Sequence, residues 1–247
     1  MGKIAVIGGT GLTMLNGLSM LRREVVQTPW GEPSGPLTYG EFQGREIIFF
    51  ARHGYGHTIP PHQVNYRANI WAMQSAGVST VIAVAAVGGI APECTPGALV
   101  IPDQIIDYTH SRGSTFFEGD LKEVTHIDFT EPYCSELRAR LITAARAANL
   151  GAVERGIYGA TQGPRLETTA EINRLERDGC TLVGMTGMPE AALARELGLC
   201  YAACAVVANP AAGRGSGAIT MQEIEATLQG GIAKVRRLLE HVLPLLD

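Results

Sequence analysis

VGMTGMPEAALARELGLCYAACAVVANPAAG, residues Val183–Gly213, decides the fold. A polar loop, Met185-Thr186-Gly187-Met188-Pro189-Glu190, passes into an Ala/Leu/Glu/Arg helix that Gly198 stops. The apolar run Cys200–Ala208 then delivers Asn209 at its end. In an α/β sheet, small ligands sit at the carboxyl ends of strands and in the loops just beyond them. An amide at that point, followed by Pro210 and a Gly/Ala-rich loop, is placed to read the edge of a planar heterocycle.

The rest of the composition agrees with a buried sheet covered by helices. Of 247 residues, 46% are apolar and 18% charged, enough for a large core. A formal charge of −4 gives no electrostatic case for nucleic acid or an anionic membrane as partner. The five cysteines (Cys94, Cys134, Cys180, Cys200, Cys204) form no CxxC pair and are odd in number. No disulfide framework is therefore expected, and a reducing compartment is. The chain runs straight into an apolar strand without a basic-then-apolar leader, and no apolar run approaches ~18 residues. A cytoplasmic protein is expected.

Outward from the central stretch, each strand ends in chemistry. Lys3–Ile7 empties into Gly8-Gly9-Thr10-Gly11-Leu12. The dinucleotide pattern GxGxxG fails there, because Met14 stands where the third glycine belongs, and no acidic residue closes a second strand. What remains is a turn whose amides, with the Thr10 hydroxyl, can hold one phosphate, or a plain β-turn. Thr28–Ser34 is turn-rich, and Glu46–Ala51 is a strand leading to Arg52 and His53. Three histidines follow within ten residues (His53, His57, His62), but their spacing fits no closed zinc pattern, so no metal is expected. The planar fork of Arg52, with His53 beside it, suits a phosphate, or Arg52 is simply a solvated arginine at a strand end.

A helix is expected over Gln63–Ala76, with Val64, Ala68, Trp71, Ala72 and Ser75 on one face. Val78–Val87 reads as a strand buried on both faces, ending in Gly88-Gly89. Ala98–Pro102 and Gln104–Tyr108 read as short strands, and Ser111–Pro132 as a long functional or interfacial loop carrying His126. Ser135–Asn149 is an amphipathic helix and Gly156–Thr161 a strand. Thr168-x-x-Glu171 is a capping box opening a helix, and Thr181–Gly184 returns to the sheet. A second capping box, Thr220-x-x-Glu223, opens a final helix with the stripe Ile224, Leu228, Ile232, Val235, Leu239 and Val242. Without repeat or linker, residues 1–247 are expected to form one domain.

No nucleophile elbow, Ser-His-Asp order or paired carboxylates emerge. Candidate phosphate donors do: Thr10, Arg52, His53, the Ala86 amide and Thr186 lie at separate strand ends. With an amide facing a heterocycle, this suits phosphorolysis, with bound phosphate as nucleophile and the protein supplying position and charge.

The segments IGGTGL, TPWGEPS, ARHGYGH, VNYRANIWA, AAVGGI, QGPRLET and MTGMPEAALARE occur in the order and spacing of a known family. From Ile4 to the final helix, the chain resembles the trimeric purine nucleoside phosphorylase / methylthioadenosine phosphorylase family. The resemblance implies a mixed, partly closed β-sheet wrapped by helices, a homotrimer, and inorganic phosphate as co-substrate with no cofactor. It places phosphate contacts on Thr10, Arg52, His53, Ala86 (main chain) and Thr186, and ribose packing on Met185. It assigns His126 to the site of the neighbouring subunit. Two positions depart from the methylthioadenosine branch: Ala85 replaces a hydroxyl residue near phosphate, and Leu166 an aromatic near the base.

The base pocket is expected to choose the substrate. Positions Asn209 and Ala211 are both aspartate in the methylthioadenosine branch, where they suit a 6-amino purine. Here Asn209 can donate to purine O6 or N7, and Ala211 offers adenine's amino group no acceptor. A 6-oxopurine is expected. At the 5′ end, Ile219–Ile224 contains Ile219 and Met221 but no histidine. That lining suits a methylthio group, or Met221 is simply a core residue at a helix start. The two features together describe S-methyl-5′-thioinosine. The alternatives are methylthioadenosine phosphorolysis, general 6-oxopurine nucleoside phosphorolysis, a nicotinamide-dependent Rossmann reductase, and a non-catalytic nucleoside-binding module.

Overall fold

In the computed structural model, residues 2–119 and 123–246 are described. The sheet is built around β5 (Val78–Gly89), a twelve-residue strand that is almost wholly apolar up to its Gly88-Gly89 end. One edge of β5 pairs along nearly its whole length with the parallel strand β10 (Cys200–Pro210). The other edge is shared. β1 (Lys3–Gly8) pairs with the first half in parallel, and β9 (Leu182–Gly184) pairs antiparallel at Gly88 and Gly89. Beyond β1 lie β4 (Arg45–Ala51), β3 (Leu37–Phe42) and β2 (Ser19–Glu24). Beyond β9 lie β8 (Ile157–Ala160) and β7 (Gln104–Asp107), and β6 (Leu99–Val100) pairs with β10. The result is a single α/β domain with a mixed sheet that branches at β5.

Alternation along the buried strands sends side chains to two faces. Ala5, Ile7, Val81, Ala83 and Val87 pack under α1 (Tyr66–Ser75) and α4 (Glu190–Glu196). Ile4, Val6, Ile82 and Val84 pack under α2 (Ser135–Ala147) and α5 (Met221–Val242). The remaining helix, α3 (Thr169–Arg177), buries Ile172 and Leu175 against Ile90, Val183 and Ala211 at the mouth of the sheet. Its capping box is present as expected, with Thr168 and Glu171 bonding each other's backbone amides.

Several expectations need correction. Strands β2 and β3 were not legible: all six residues of β2 are exposed and carry no apolar alternation, and β3, though buried at five of six residues, interleaves Thr38, Gly40 and Glu41 with its apolar residues. Helix α1 begins at Tyr66, capped by Asn65; it buries Ala68 and Ala72 as expected, but the rest of its buried face is Tyr66, Asn69, Ile70 and Met73 rather than Trp71 and Ser75. Pro61 starts a separate 3-10 turn that ends before the helix begins. Against the expectation of unpaired thiols, Cys134 and Cys200 form a disulfide across 66 residues. Spacing could not show this pairing, because it depends on α2 starting beside the first residue of β10. Cys94, Cys180 and Cys204 are free and buried. No helix among the described residues is long and apolar enough to cross a membrane. In the long loop over 111–132, residues 120–122 lie outside the described set, and the described remainder contains neither helix nor strand.

Candidate active site

β1, β4, β5 and β10 run parallel, so their carboxyl ends open on one side of the sheet. There they surround a cavity of about 340 Å³, within the size range of small-ligand sites. Its lining includes Thr10 beyond β1, Arg52 and His53 beyond β4, Ala85 and Ala86 on β5, Met185 and Thr186 beyond β9, and Asn209 and Ala211 from β10. Leu166, Ile219 and Met221 line it as well. The structure thus brings together every expected site residue except one. His126 is exposed on its loop and does not line the cavity of its own chain.

Glycines let the backbone come this close. A Cβ on Gly8 would lie 2.0 Å from the Leu12 carbonyl, and one on Gly89 1.8 Å from that of Cys94. A Cβ on Gly184 would meet the Tyr158 hydroxyl at 2.1 Å. That same hydroxyl accepts from the Thr186 amide at 3.4 Å, so close packing of β8 on β9 fixes where the Thr186 loop begins.

Arg52 is 1% exposed. Its Nε and Nη2 donate to the two carboxylate oxygens of Glu190 at 2.6 and 2.8 Å, and Nη1 donates to the Val84 carbonyl at 3.0 Å. Burial works against the guanidinium charge. The Glu190 carboxylate more than offsets it, by attraction and by hydrogen bonding, and holds the pKa of Arg52 above its ordinary value. The bidentate fork expected to face phosphate is therefore occupied by protein. Only the N–H groups of Nη1 and Nη2 that remain are free for a ligand.

His53 donates its Nδ1 proton to the Ile59 carbonyl at 2.8 Å, since a carbonyl can only accept. Its Nε2 is left as a bare acceptor. Burial, with Arg52 nearby, lowers its pKa to about 4. The unfolded chain takes up a proton near pH 6.5, whereas the folded chain resists until about 4. Stability should fall as pH drops through this window and stay level above it. Between pH 7 and 5 the loss attributable to His53 is about 2 kcal/mol. Urea unfolding at both pH values should show a smaller pH-dependent loss in His53→Gln by that amount; an equal loss in both proteins would remove His53 as the cause.

Asn209 owes its position to a register shift between Val207 and Asn209, where β10 slips against β5 and turns the next side chain. Its Nδ2 donates to the Pro210 carbonyl at 2.7 Å. One amide N–H and the Oδ1 acceptor remain for a ligand. Ala211 is buried, and its amide donates to the Gly89 carbonyl at 2.7 Å.

Three residues escaped the sequence reading. Glu167 lines the cavity with one carboxylate oxygen taken by the Thr161 hydroxyl at 2.6 Å. The acid was visible in QGPRLET, but nothing local showed that it faced the same space as Asn209. Glu190 was read only as the last residue of the polar loop before a helix, whose first residue it is. Arg112, in the long loop, donates to the carbonyls of Met185 (2.8 Å), Met188 (2.6 Å) and Gln162 (2.8 Å), bracing the segments on either side of the cavity. No group of three His, Cys, Asp or Glu among the described residues could hold a metal.

Comparison with known proteins places this geometry. Residues 3–244 match the Phosphorylase superfamily. A probable S-methyl-5′-thioinosine phosphorylase of Pseudomonas syringae pv. tomato is 56% identical over 239 residues, covering 97% of each chain. The 6-oxopurine nucleoside phosphorylase of Pyrococcus furiosus is 47% identical, covering 100% of this chain and 94% of its own. Among solved structures, methylthioadenosine phosphorylase from Schistosoma mansoni in complex with adenine superposes with a TM-score of 0.95 at 31% identity, covering 100% of this chain and 92% of its own. The family match spans nearly the whole chain, and the chain belongs to the Phosphorylase superfamily.

Proposed function

We propose that this chain cleaves S-methyl-5′-thioinosine with inorganic phosphate, giving hypoxanthine and 5-methylthioribose 1-phosphate. The observation that carries the reading is the set Asn209, Glu167 and Ala211 in one cavity. A 6-oxopurine presents O6 and N7 as acceptors and N1–H as a donor. Asn209 can donate to the acceptors, and the unpaired oxygen of Glu167 can take N1–H. Adenine reverses this pattern. Its N1 is a lone pair facing a carboxylate, and its amino group meets the Asn209 N–H unless that amide gives up its bond to the Pro210 carbonyl, while Ala211 offers only a methyl. Burying a donor without a partner costs about 1–3 kcal/mol.

The 5′ end carries the second half of the reading. Ile219, Met221 and Ile224 line the cavity there, and the segment supplies no hydroxyl-binding histidine. An apolar lining favours a methylthio group over a solvated hydroxyl. The relatives include both a thioinosine enzyme and a general 6-oxopurine enzyme, so this end separates the two.

In the proposed reaction the C1′–N9 bond breaks with its electron pair passing to the purine, and positive charge builds on the sugar. Phosphate, held by Thr10, Arg52, the Ala86 amide and Thr186, with the bare Nε2 of His53 accepting from its protonated oxygen, stabilises that charge and forms the new C1′–O bond. Met185 packs against the sugar. Asn209 donates to O6 or N7 as negative charge collects on the leaving base, which finally takes up a proton. A donor aimed at developing charge is worth about 3 kcal/mol of barrier. Inorganic phosphate is the co-substrate and no further cofactor enters the scheme.

A homotrimer belongs to the same proposal. Leu166 and Met221 are 44% and 61% exposed at the cavity, apolar surface that a neighbouring subunit would cover. His126 is then free to reach the neighbour's site. The cytoplasm is the proposed location: three of the five cysteines are free and buried, and the Cys134–Cys200 disulfide is the feature that speaks against a reducing compartment.

Parallel assays of methylthioinosine, methylthioadenosine and inosine test the reading. Phosphate-dependent release of hypoxanthine should be fastest from methylthioinosine. A preference for methylthioadenosine would end the base-pocket argument; a preference for inosine would end the 5′ argument alone.

A further inference from the structure

We propose that Glu190 and Tyr201 set the phosphate affinity of this site by holding the Arg52 guanidinium in one orientation. They are positioning residues, acting through Arg52 without touching a ligand. The inference rests on the phosphorolytic reading above and adds to it two residues outside the cavity lining.

The geometry forms a chain leading away from the cavity. Arg52 lines the cavity, whereas Glu190 and Tyr201 do not. Glu190 takes Nε and Nη2 of Arg52 in a two-pronged contact that fixes the guanidinium plane. The Tyr201 hydroxyl donates to Glu190 Oε1 at 2.8 Å, the same oxygen that receives Nη2. The ring of Tyr201 is stacked on that of Tyr133, with centroids 6.2 Å apart and planes 14° from parallel. Each link is buried: Arg52 and Glu190 are 1% exposed and Tyr201 3%.

A structural role alone explains this poorly. A buried ion pair gives the fold little net stability, since desolvation consumes most of the attraction. Well-packed apolar side chains would serve a core as well. The pair gains a purpose when one partner must present charge to a ligand, because Glu190 occupies the fork and leaves only the ends of Nη1 and Nη2 for phosphate. A carboxylate held from two sides cannot swing, so Arg52 cannot follow a misplaced anion. Preorganised charge of this kind stabilises a transition state without reorganisation.

The test separates phosphate from nucleoside. Tyr201→Phe removes one hydroxyl, and Glu190→Asp shortens the clamp by one methylene while keeping its charge. Tyr201→Phe should raise the KM for phosphate about 3- to 10-fold, a fraction of what a lost hydrogen bond to a charged group costs, because the hydroxyl acts on phosphate only through Glu190 and Arg52. Glu190→Asp should raise it 10-fold or more, by displacing the fork about 1 Å. The KM for nucleoside at saturating phosphate should stay within about twofold in both. In an Arg52→Lys background, Tyr201→Phe should have no further effect on phosphate KM, because its route through the guanidinium is gone. The rise in melting temperature produced by inorganic phosphate alone should shrink in the same order. Lowered melting temperatures with phosphate KM unchanged would make the pair purely structural and overturn the proposal. So would equal rises in both KM values, or a wild-type protein whose melting temperature ignores phosphate. A wild-type protein stabilised by phosphate but inert towards methylthioinosine would sink the substrate reading and leave this one standing. If Glu190→Asp does not fold, Tyr201→Phe decides alone.

Discussion

Replacing Arg52 by methionine is expected to lower stability by about 3–5 kcal/mol and to reduce phosphorolysis about 10³-fold or more. The two losses have different origins. Glu190 would keep its place at 1% exposure with Tyr201 as its one remaining strong donor, and an uncompensated buried carboxylate is among the costliest single defects. The activity loss arises at the cavity, where the cation facing phosphate disappears. The double variant Arg52→Met/Glu190→Met separates them. With both charges gone, stability should return to within about 2 kcal/mol of wild type, because an apolar pair can replace a buried ion pair at little cost. Activity should not return. Denaturant unfolding and initial rates on the three proteins check this. A double variant as unstable as Arg52→Met would show that the unpaired carboxylate is not the source of the defect.

The parts of the molecule that could be read from sequence are those whose signal is local. β5 and β10 announce themselves as nearly continuous apolar runs, and Gly198 and the Thr168 capping box mark helix ends by their own chemistry. β2 could not be read, because an exposed edge strand has no apolar alternation and is held by pairing with β3. The site divides the same way. Asn209 was legible as a polar residue ending an apolar strand, and Arg52 as an arginine at another strand end. What Arg52 does with its fork was not, since its partner Glu190 lies 138 residues away. Glu167 was missed for the same reason: which acid enters the cavity depends on how the segment after β8 folds back over it. Cys134 and Cys200 meet only once α2 and β10 are packed together. Resemblance named residues that line the cavity, not the residues that hold them.

Asn209→Asp combined with Ala211→Asp is expected to shift the ratio of kcat/KM for methylthioinosine over methylthioadenosine by about 10³ toward the 6-amino substrate. The argument concerns hydrogen-bond direction more than size. Asn209 keeps one amide N–H free after bonding the Pro210 carbonyl, and that N–H suits the O6 or N7 of a 6-oxopurine. A carboxylate there meets O6 with a lone pair and repels it, while adenine's amino group gains an acceptor. Ala211, buried at the same wall, adds a second carboxylate where only a methyl stood. Two reversed contacts at about 1–3 kcal/mol each give a shift of this order. Glu167 should resist the change, because its free carboxylate oxygen still favours N1–H. Adding Glu167→Ala should therefore cost methylthioinosine about 10²-fold and methylthioadenosine far less, carrying the triple variant further toward adenine. Paired assays of hypoxanthine and adenine release give each ratio directly. If Glu167→Ala slowed both substrates equally, the carboxylate would be holding the loop after β8 rather than reading the base, and specificity would rest on Asn209 and Ala211 alone.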